Sequence, residues 1–303
     1  MKSFVKKTAK NLFYGLGLQA YNNAGFSFHH KNLGVYIKNE DKFQLSEYKK
    51  MYSEDQLSKK PFFNIGSGSF SHPYWTNIDY VTDWYEGVQS NIINHDLMSL
   101  TPLPVNSESA EIIYTSHTIE HISEEAVQYL FNEAYRTLSK GGIFRITTGP
   151  DADLDYAALL RKDIHWFYWD LYQDSKGAFP SPLIQSNIAE RWLHHVASCL
   201  SNLSHTPSSV KFTENQIWEI INNNTMEEAL NHFTSLCKYN PSYPADHISW
   251  WNYSKIEKYL RNAGFEAILK SGYRQSSSPL MRKSELFDST HPQISVYVEA
   301  IKV

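Results

Sequence analysis

The chain has 303 residues, of which 42% are hydrophobic and 20% charged, enough to bury a sizeable core as one large domain or as one domain with an insertion. The formal net charge of −4 gives no overall field for a polyanion, so a nucleic-acid partner is not expected. The spacing of Cys199 and Cys237 fits neither a zinc site nor a disulfide framework, and no apolar run approaches the roughly 20 residues that span a bilayer. We therefore expect a cytoplasmic protein.

Residues 1–55 are expected to form an N-terminal extension. Apolar side chains recur at helical spacing over residues 1–17, and lysines occupy intervening positions. This pattern predicts a basic amphipathic helix, which could contact the inner face of a membrane or pack on the main domain or a partner subunit. The sequence leaves these alternatives open and predicts no oligomeric state.

Alternating strand and helix patterns begin at residue 62. Short apolar and β-branched runs predict strands over residues 62–65, 76–81, 92–96, 111–115 and 143–148. Ser123 can cap a helix whose apolar stripe ends at Leu138, with Gly141 and Gly142 suited to its end. The alternation predicts an α/β fold with a Rossmann-like, mainly parallel sheet and helices on both faces.

After Pro150 the alternation stops for about ninety residues, which is long for a connection. Helical patterns over 190–200 and 215–238 predict an aromatic-rich helical cap, inserted at about 152–245 in a main domain that spans 56–303. A capping box at Ser254 then begins a further helix, which Gly264 closes. Strands near 267–269 and 294–300 are expected to form an antiparallel C-terminal edge.

A ligand signal follows the first predicted strand of the sheet. The buried run ends in Gly66 and Gly68, and Asp79 ends the next strand. Closely spaced glycines let the backbone approach a ligand, and an acid in this place can bind ribose hydroxyls. Because Pro73 interrupts the short connection between these strands, the first crossover is expected to be a loop. Ser71 stands where a third glycine would complete a dinucleotide motif, which disfavours an oxidoreductase.

Further motifs follow in order, and we quote them together. They are Asn64-Ile65-Gly66-Ser67-Gly68, Asn77-Ile78-Asp79, His95-Asp96-Leu97, Ser116-His117-Thr118-Ile119-Glu120-His121-Ile122, and the run from Glu133 to Gly142. This series resembles the class I SAM-dependent methyltransferases, and within them the methyltransferase-type-11 branch associated with polysaccharide and cell-surface glycan biosynthesis. The resemblance covers residues 62–150.

The resemblance implies S-adenosyl-L-methionine (SAM) as cofactor and S-adenosyl-L-homocysteine (SAH) as product. Asp79 would hold the ribose, and Asp96 with Leu97 would flank the adenine. The implied cofactor-binding residues are Asn64, Gly66, Ser67, Gly68, Asp79, Tyr80, Asp96, Leu97, Ser116 and His117. From the residues alone, Asp79 could instead cap a turn, and Asp96 could form a local Asx turn.

Methyl transfer needs an acceptor in line with the sulfonium methyl, and a base can remove the acceptor's proton. The candidate bases are His117, His121 and His247, with His95 less favoured, and a structural hydrogen bond is the alternative for each. Asp151 is a minor base candidate, although a helix cap explains it better.

Other chemistry-bearing residues have simpler explanations. Arg145 could pair with an acidic acceptor, or with Glu111 or another carboxylate. Glu190 and His194, with His195, lack a convincing further ligand, so we predict no metal site. Aromatic residues of the cap could line an acceptor pocket or form the cap's own core; they are Trp166, Tyr168, Trp169, Trp250 and Trp251.

The sequence therefore predicts an enzyme, a SAM-dependent methyltransferase that O-methylates a small molecule or a sugar of a surface polysaccharide. The alternative is an inactive SAM-binding or scaffold protein in a glycan assembly complex. A titration with SAM and a search for SAH production separate the two.

Overall fold

The computed structural model describes residues 18–20, 28–30, 43–82, 92–167, 186–204, 206–208 and 210–303. The chain divides into two compact units, Met1–Ser46 and Glu47–Val303. In the first unit, β1 (Leu18–Ala20) pairs with β2 (Phe28–His30) in antiparallel fashion. The helix predicted within residues 1–17 lies outside the described residues. The second unit begins nine residues ahead of the predicted start at residue 56.

The second unit contains a seven-stranded sheet. Its strands are β3 (Phe62–Ile65), β4 (Trp75–Asp79), β5 (Ile92–Asn94), β6 (Ala110–Ser116), β7 (Leu138–Thr148), β8 (Ala267–Lys270) and β9 (Val296–Ile301). The strand order is β5-β4-β3-β6-β7-β9-β8. Strands β3 to β7 pair in parallel, and β9 runs antiparallel to both β7 and β8. The predicted fold class, a Rossmann-like sheet with an antiparallel C-terminal edge, is confirmed.

Helices cover both faces of the sheet because the strands alternate their side chains between two apolar clusters. On one face, α3 (Glu124–Thr137) and α8 (Tyr253–Asn262) pack against a core that includes Ile65 and Phe144. On the other face, α1 (Leu45–Met51) and α2 (Glu54–Ser58) contribute Tyr48 and Leu57 to a cluster with Phe62. The first crossover, from β3 to β4, contains no helix, as the sequence predicts.

The inserted segment builds a core of its own. Its helices are α4 (Ala152–Leu160), α5 (Ile188–Val196), α6 (Glu214–Asn223) and α7 (Met226–Ser235). The buried side chains of Trp192, Leu193 and Phe233 lie in a cluster formed mostly within this segment. Among the described residues, no helix is long and apolar enough to cross a membrane.

Several predicted element boundaries are wrong, including the following three. Helix α3 ends at Thr137, and β7 begins at the next residue, so Gly141 lies within the strand instead of closing the helix. Helix α8 is capped by Asn252, whose side chain accepts the N–H of Lys255, and not by Ser254. The helix predicted over 215–238 is two helices, because Thr225 and Glu228 form a capping box that begins α7, a local signal that the prediction overlooked.

Candidate functional site

The strand order reverses between β3 and β6, which lie side by side in the middle of the sheet. In an open α/β sheet, ligands bind outside the carboxyl ends of the strands at this point of reversal. The loops that follow β3, β4, β5 and β6 carry the predicted cofactor residues, so the topology brings these residues to one edge of the sheet.

The loop after β3 has a backbone that favours glycine. Gly66 and Gly68 have φ angles of +67° and +51°, in the left-handed region. A Cβ atom on Gly66 would collide with the side chain of Thr118, which follows β6. A Cβ on Gly68 would meet no described residue within 4 Å. The loop is therefore packed closely on one side and faces open space at Gly68.

Asp79 holds this loop in place. One carboxylate oxygen accepts the N–H of Gly68 at 2.7 Å, and the other accepts the N–H of Tyr80 at 2.7 Å. The bond to Gly68 connects the end of β4 to the glycine loop, next to the Gly66 N–H, which donates to the carbonyl of Ile78 at 2.9 Å. A carboxylate has about four acceptor positions and can bond to more than one group, so the side chain is suited to a ligand's hydroxyl groups.

Two polar atoms at this edge are buried without a partner. Within the part of the chain that the structure describes, Asn64 Oδ1 and Ser67 Oγ form no hydrogen bond, although their residues are only 3% and 7% exposed. Buried polar atoms normally have a hydrogen-bond partner, because leaving one unpaired costs about 1–3 kcal/mol. These atoms are therefore suited to a polar ligand.

Asp96 adopts the structural role that the sequence left open. Its side chain caps the 3₁₀ turn Leu97–Ser99 by accepting the N–H of Met98 at 2.8 Å. Leu97 packs against the main core. Both residues lie after β5 at the expected edge, but Asp96 is engaged by its own turn.

His117 follows β6 and has a φ of +50°. Its Nδ1 lies 3.0 Å from Glu120 Oε1, and its Nε2 lies 2.9 Å from Ser295 Oγ. Thr148 donates to the other carboxylate oxygen of Glu120 at 2.7 Å. With a proton on Nδ1, which faces the carboxylate, Nε2 is the basic atom of the ring. The Ser295 hydroxyl, which also donates to the carbonyl of His291 at 2.8 Å, would have to turn from that carbonyl to donate to Nε2. This arrangement orients a base beside the end of β6.

Glu120 is buried, and burial by itself would raise the pKa of its carboxyl group. The imidazoles of His117, His121 and His247 outweigh that effect and hold the pKa of Glu120 below its ordinary range. Glu120 is therefore an anion in the folded protein, which fits its contact with the Nδ1 proton.

His121 and His247 form a second group beside Glu120. Their ring centroids are 4.9 Å apart. His121 Nδ1 contacts the backbone carbonyl of Asp246 at 3.1 Å, and His247 Nδ1 contacts the carbonyl of His195. Burial and, to a smaller extent, the neighbouring His121 ring lower the pKa of His247 to about 3. His247 is thus a weak base, and His117 has the better geometry for proton removal.

A small cavity separates the ends of β6 and β7 from the insertion. Its lining includes Glu120, Thr148, His195, His247, Trp250 and Trp251. Trp250 belongs to the core of the insertion, and Trp251 belongs to the main core and donates to the carbonyl of Ile119. Trp166 donates to Asp155. Tyr168 and Trp169 lie outside the described residues. The second alternative, the cap's own core, thus describes Trp250, whereas Trp251 packs in the core of the main domain instead.

Arg145 lies away from the candidate site, on the opposite side of β7 from the main core. It is fully buried and pairs with Asp288 at 2.5 Å and with Glu299 at 3.5 Å. The expected partner type, a carboxylate, is present, but Glu111 is not that partner. The bond fixes the loop before β9 to the sheet.

The remaining candidates also have structural partners. Asp151 caps α4 by accepting the N–H of Asp153 at 3.0 Å. Burial lowers the pKa of His95, whose backbone N–H bonds to the end of β4. Glu190 accepts the N–H of Asn202 at 2.6 Å, whereas His195 faces Asp155 at 2.9 Å. These two side chains do not converge.

Sequence reasoning missed Ser295 and Thr148. Ser295 is separated from His117 by 178 residues and precedes β9, so no local pattern links the two. The alternation of β7 indicated on which face Thr148 lies, but not that a carboxylate from another loop would meet it.

Comparison with known proteins supports the class. Residues 67–146 match the family model of a methyltransferase domain. No curated protein matches the chain. The match and the sheet confirm the class predicted from the motifs: the chain carries a SAM-dependent methyltransferase domain.

Similar solved structures include a SAM-dependent methyltransferase from Thermotoga maritima, described as a possible histamine N-methyltransferase. It is 11% identical, with 86% of this chain and 97% of that chain covered and a TM-score of 0.37. A SAM-dependent methyltransferase from Archaeoglobus fulgidus is also 11% identical. The match covers 89% of this chain and 100% of that chain, with a TM-score of 0.36. At these scores the likenesses carry no conclusion about the acceptor.

Proposed function

We propose that this protein binds SAM at the carboxyl ends of β3 and β4 and transfers its methyl group to an oxygen atom of a small molecule or a sugar. The observation that carries the proposal is the Gly68 loop, which is tied to Asp79 and faces open space at the point where the strand order reverses. SAM supplies an electrophilic methyl group on a sulfonium centre.

The residues of this edge fit the polar parts of SAM. The Asp79 carboxylate is suited to the two ribose hydroxyls. Asn64 Oδ1 is a buried acceptor and Ser67 Oγ is both donor and acceptor, so they are suited to the ammonium and carboxylate of the methionine part. Asp96 is the weaker member of the predicted set, because its side chain caps a turn.

His117 is the base that the geometry favours. The acceptor hydroxyl would give its proton to Nε2, directly or through the hydroxyl of Ser295, while the oxygen forms its bond to the methyl group. The Glu120 carboxylate fixes the ring and stabilises the imidazolium that results. The sulfur of the donor keeps the electron pair of the broken bond and leaves as a neutral thioether.

The glycan context rests on the resemblance of the motifs to a branch of the family. A sugar or other hydroxyl acceptor is consistent with a neutral imidazole base, which is needed for a hydroxyl group more than for a sulfur or nitrogen nucleophile. We propose a surface-polysaccharide sugar as the first acceptor class to test, with other small hydroxyl compounds in the same screen.

Calorimetric titration with SAM and with SAH tests the cofactor site. We expect micromolar binding by the wild type and at least about tenfold weaker binding by Asp79→Ala. The matched control is Asp55→Ala, since the Asp55 side chain is 76% exposed and pairs only with Lys59 on the surface. Normal SAM binding by Asp79→Ala would refute the assignment of this residue.

A second measurement tests transfer. Purified protein with SAM and a sugar-nucleotide or cell-envelope extract should release SAH, and His117→Gln should slow that release by about 10²–10⁴-fold without loss of SAM binding. An unchanged rate in His117→Gln would remove His117 as base.

The alternative function, a SAM-binding scaffold without transfer activity, is favoured by one observation. The three candidate bases all have protein partners, including Ser295 for His117 and backbone carbonyls for His121 and His247. Binding of SAM with no SAH release from any extract would favour the scaffold function over methyl transfer.

A further inference from the structure

Glu120, His121 and His247 form a group with the composition of a metal site. Each offers one ligand atom, and the three atoms lie within 4.8 Å of one another. Two atoms bound to one Zn²⁺ at about 2.0–2.2 Å lie at most roughly 4 Å apart, so a bound ion would need to draw these side chains together only slightly.

The histidines are held in the form that binds a metal. Because each Nδ1 faces a backbone carbonyl, which only accepts, each Nδ1 carries a proton and each Nε2 keeps its lone pair. Metal-binding histidines commonly donate their second ring nitrogen to a carbonyl in this way. A divalent ion placed between these imidazoles and the Glu120 carboxylate is attracted by the imidazole lone pairs and by the carboxylate charge.

Neighbouring side chains outside the ligand set likewise orient the Glu120 carboxylate. His117 and Thr148 contact its two oxygens at 3.0 and 2.7 Å, which fixes the carboxylate while each oxygen retains another lone pair. The carboxylate brings a full negative charge to a buried place, and a neighbouring cation would offset the cost of that burial.

The backbone that carries the ligands is rigid. The N–H groups of Ile248 and Ser249 donate to the carbonyl of Glu120 at 2.9 and 3.2 Å, and Ser249 Oγ donates to the carbonyl of Ile119 at 2.9 Å. His247 is therefore positioned against the 3₁₀ turn Ile119–His121 by the segment that returns from the insertion. Preorganisation of this kind is a requirement of a tight metal site.

We propose that Glu120, His121 and His247 bind a divalent first-row transition ion, Zn²⁺ first, with a water or an acceptor oxygen completing the coordination. Two imidazoles and one carboxylate are a ligand set of Zn²⁺ sites with an open position. Glu120 and His247 also line the small cavity beside the insertion. The ion would join the turn after β6 to the insertion, where the sequence predicted no metal.

Zinc titration of the whole chain, freed of any affinity tag and treated with a chelator, tests this site. The wild type should bind one Zn²⁺ with a Kd below about 1 μM and gain thermal stability in excess Zn²⁺. Glu120→Gln and His247→Ala should each weaken binding at least about 100-fold. His232→Ala is the control, because it removes an exposed histidine on α7 and should bind like the wild type.

Circular dichroism on each variant establishes folding, and Glu120→Gln, which keeps the side chain's shape, serves if His247→Ala does not fold. Substitution with Co²⁺ adds a direct signature, since visible absorption should appear in the wild type and be lost in Glu120→Gln. The proposal is overturned if the wild type shows no saturable binding of one Zn²⁺, or if both ligand variants bind as tightly as His232→Ala. SAM titration is an independent readout, so failure here leaves the proposed methyl transfer untouched.

Discussion

The carboxylate of Asp79 accepts the backbone N–H of Gly68 at 2.7 Å, and this bond connects the end of β4 to the loop that follows β3. The acid that the sequence assigns to a ribose thus also shapes the loop on which the rest of the cofactor would lie. Binding the ribose and holding the glycine loop predict different losses of SAM affinity for different substitutions of Asp79.

Asp79→Asn keeps one acceptor oxygen, whereas Asp79→Ala removes both. We expect SAM affinity to fall about tenfold in Asp79→Asn and about 100-fold in Asp79→Ala, because the alanine variant loses the loop contact as well as the ligand contact. Calorimetry measures the affinities. Equal losses in the two variants would contradict a role for Asp79 in holding Gly68.

Alanine at the two loop glycines should act differently. Gly66→Ala adds a methyl group that collides with Thr118 at a left-handed φ, so we expect it to destabilise the fold by about 2 kcal/mol or more. Gly68→Ala meets open space and should cost about 1 kcal/mol, while its methyl group enters the proposed ligand space and weakens SAM binding. Urea denaturation and SAM titration of both variants check this contrast. A larger loss of stability in Gly68→Ala would contradict it.

The pair Glu133–Arg136, within the last motif of the resemblance, gives a pH-dependent prediction. Burial alone would raise the pKa of Glu133, but Arg136 and the N–H of Leu103 lower it below its ordinary value of 4.5. The pair therefore stabilises the fold fully above about pH 5. That contribution is lost as the pH falls from 4.5 through the lower folded pKa.

Glu133→Gln should accordingly lower the free energy of unfolding by about 1–2 kcal/mol at pH 7 and by much less at pH 3. Urea denaturation of both proteins across that range measures the difference. The control is Glu47→Gln, in which an exposed surface pair with Lys50 is removed. If Glu133→Gln lowers the free energy of unfolding by the same amount at pH 3 as at pH 7, the charge of Glu133 does not stabilise the fold.

The buried Arg145–Asp288 pair should be sensitive to removal of one partner. Asp288→Ala leaves a guanidinium that is fully buried with only the more distant Glu299 as an anion, so we expect a loss of about 3–5 kcal/mol. The double variant Arg145→Met with Asp288→Leu removes both charges and should be more stable than Asp288→Ala alone. Thermal denaturation orders the three proteins. A double variant that is less stable than Asp288→Ala would contradict this account.

Cys199 and Cys237 are free thiols whose sulfur atoms lie 3.5 Å apart within the insertion. A disulfide needs about 2.05 Å, so a small shift allows oxidation. Treatment with diamide should remove two titratable thiols and raise stability by about 2–4 kcal/mol. Cys199→Ser should abolish both effects. A wild type that keeps both thiols after diamide treatment would contradict the proximity of the two sulfur atoms.

The sequence by itself determined the features that depend on neighbours along the chain. The apolar run of β3, the glycines that follow it and the cap at Ser123 are set by local backbone and burial preferences, so they were predictable from their own residues. The order of the motifs along the chain likewise predicted the parallel sheet and the edge at which its loops meet.

Tertiary structure alone decided the pairings between distant segments. Ser295 meets His117, His247 approaches Glu120, and Asp288 reaches Arg145 across more than a hundred residues of chain. Such contacts depend on how the insertion and the C-terminal loop fold back on the sheet, which no local pattern encodes. A buried charge must find a partner, but the sequence does not say which one, because several carboxylates satisfy that need equally well until packing selects among them.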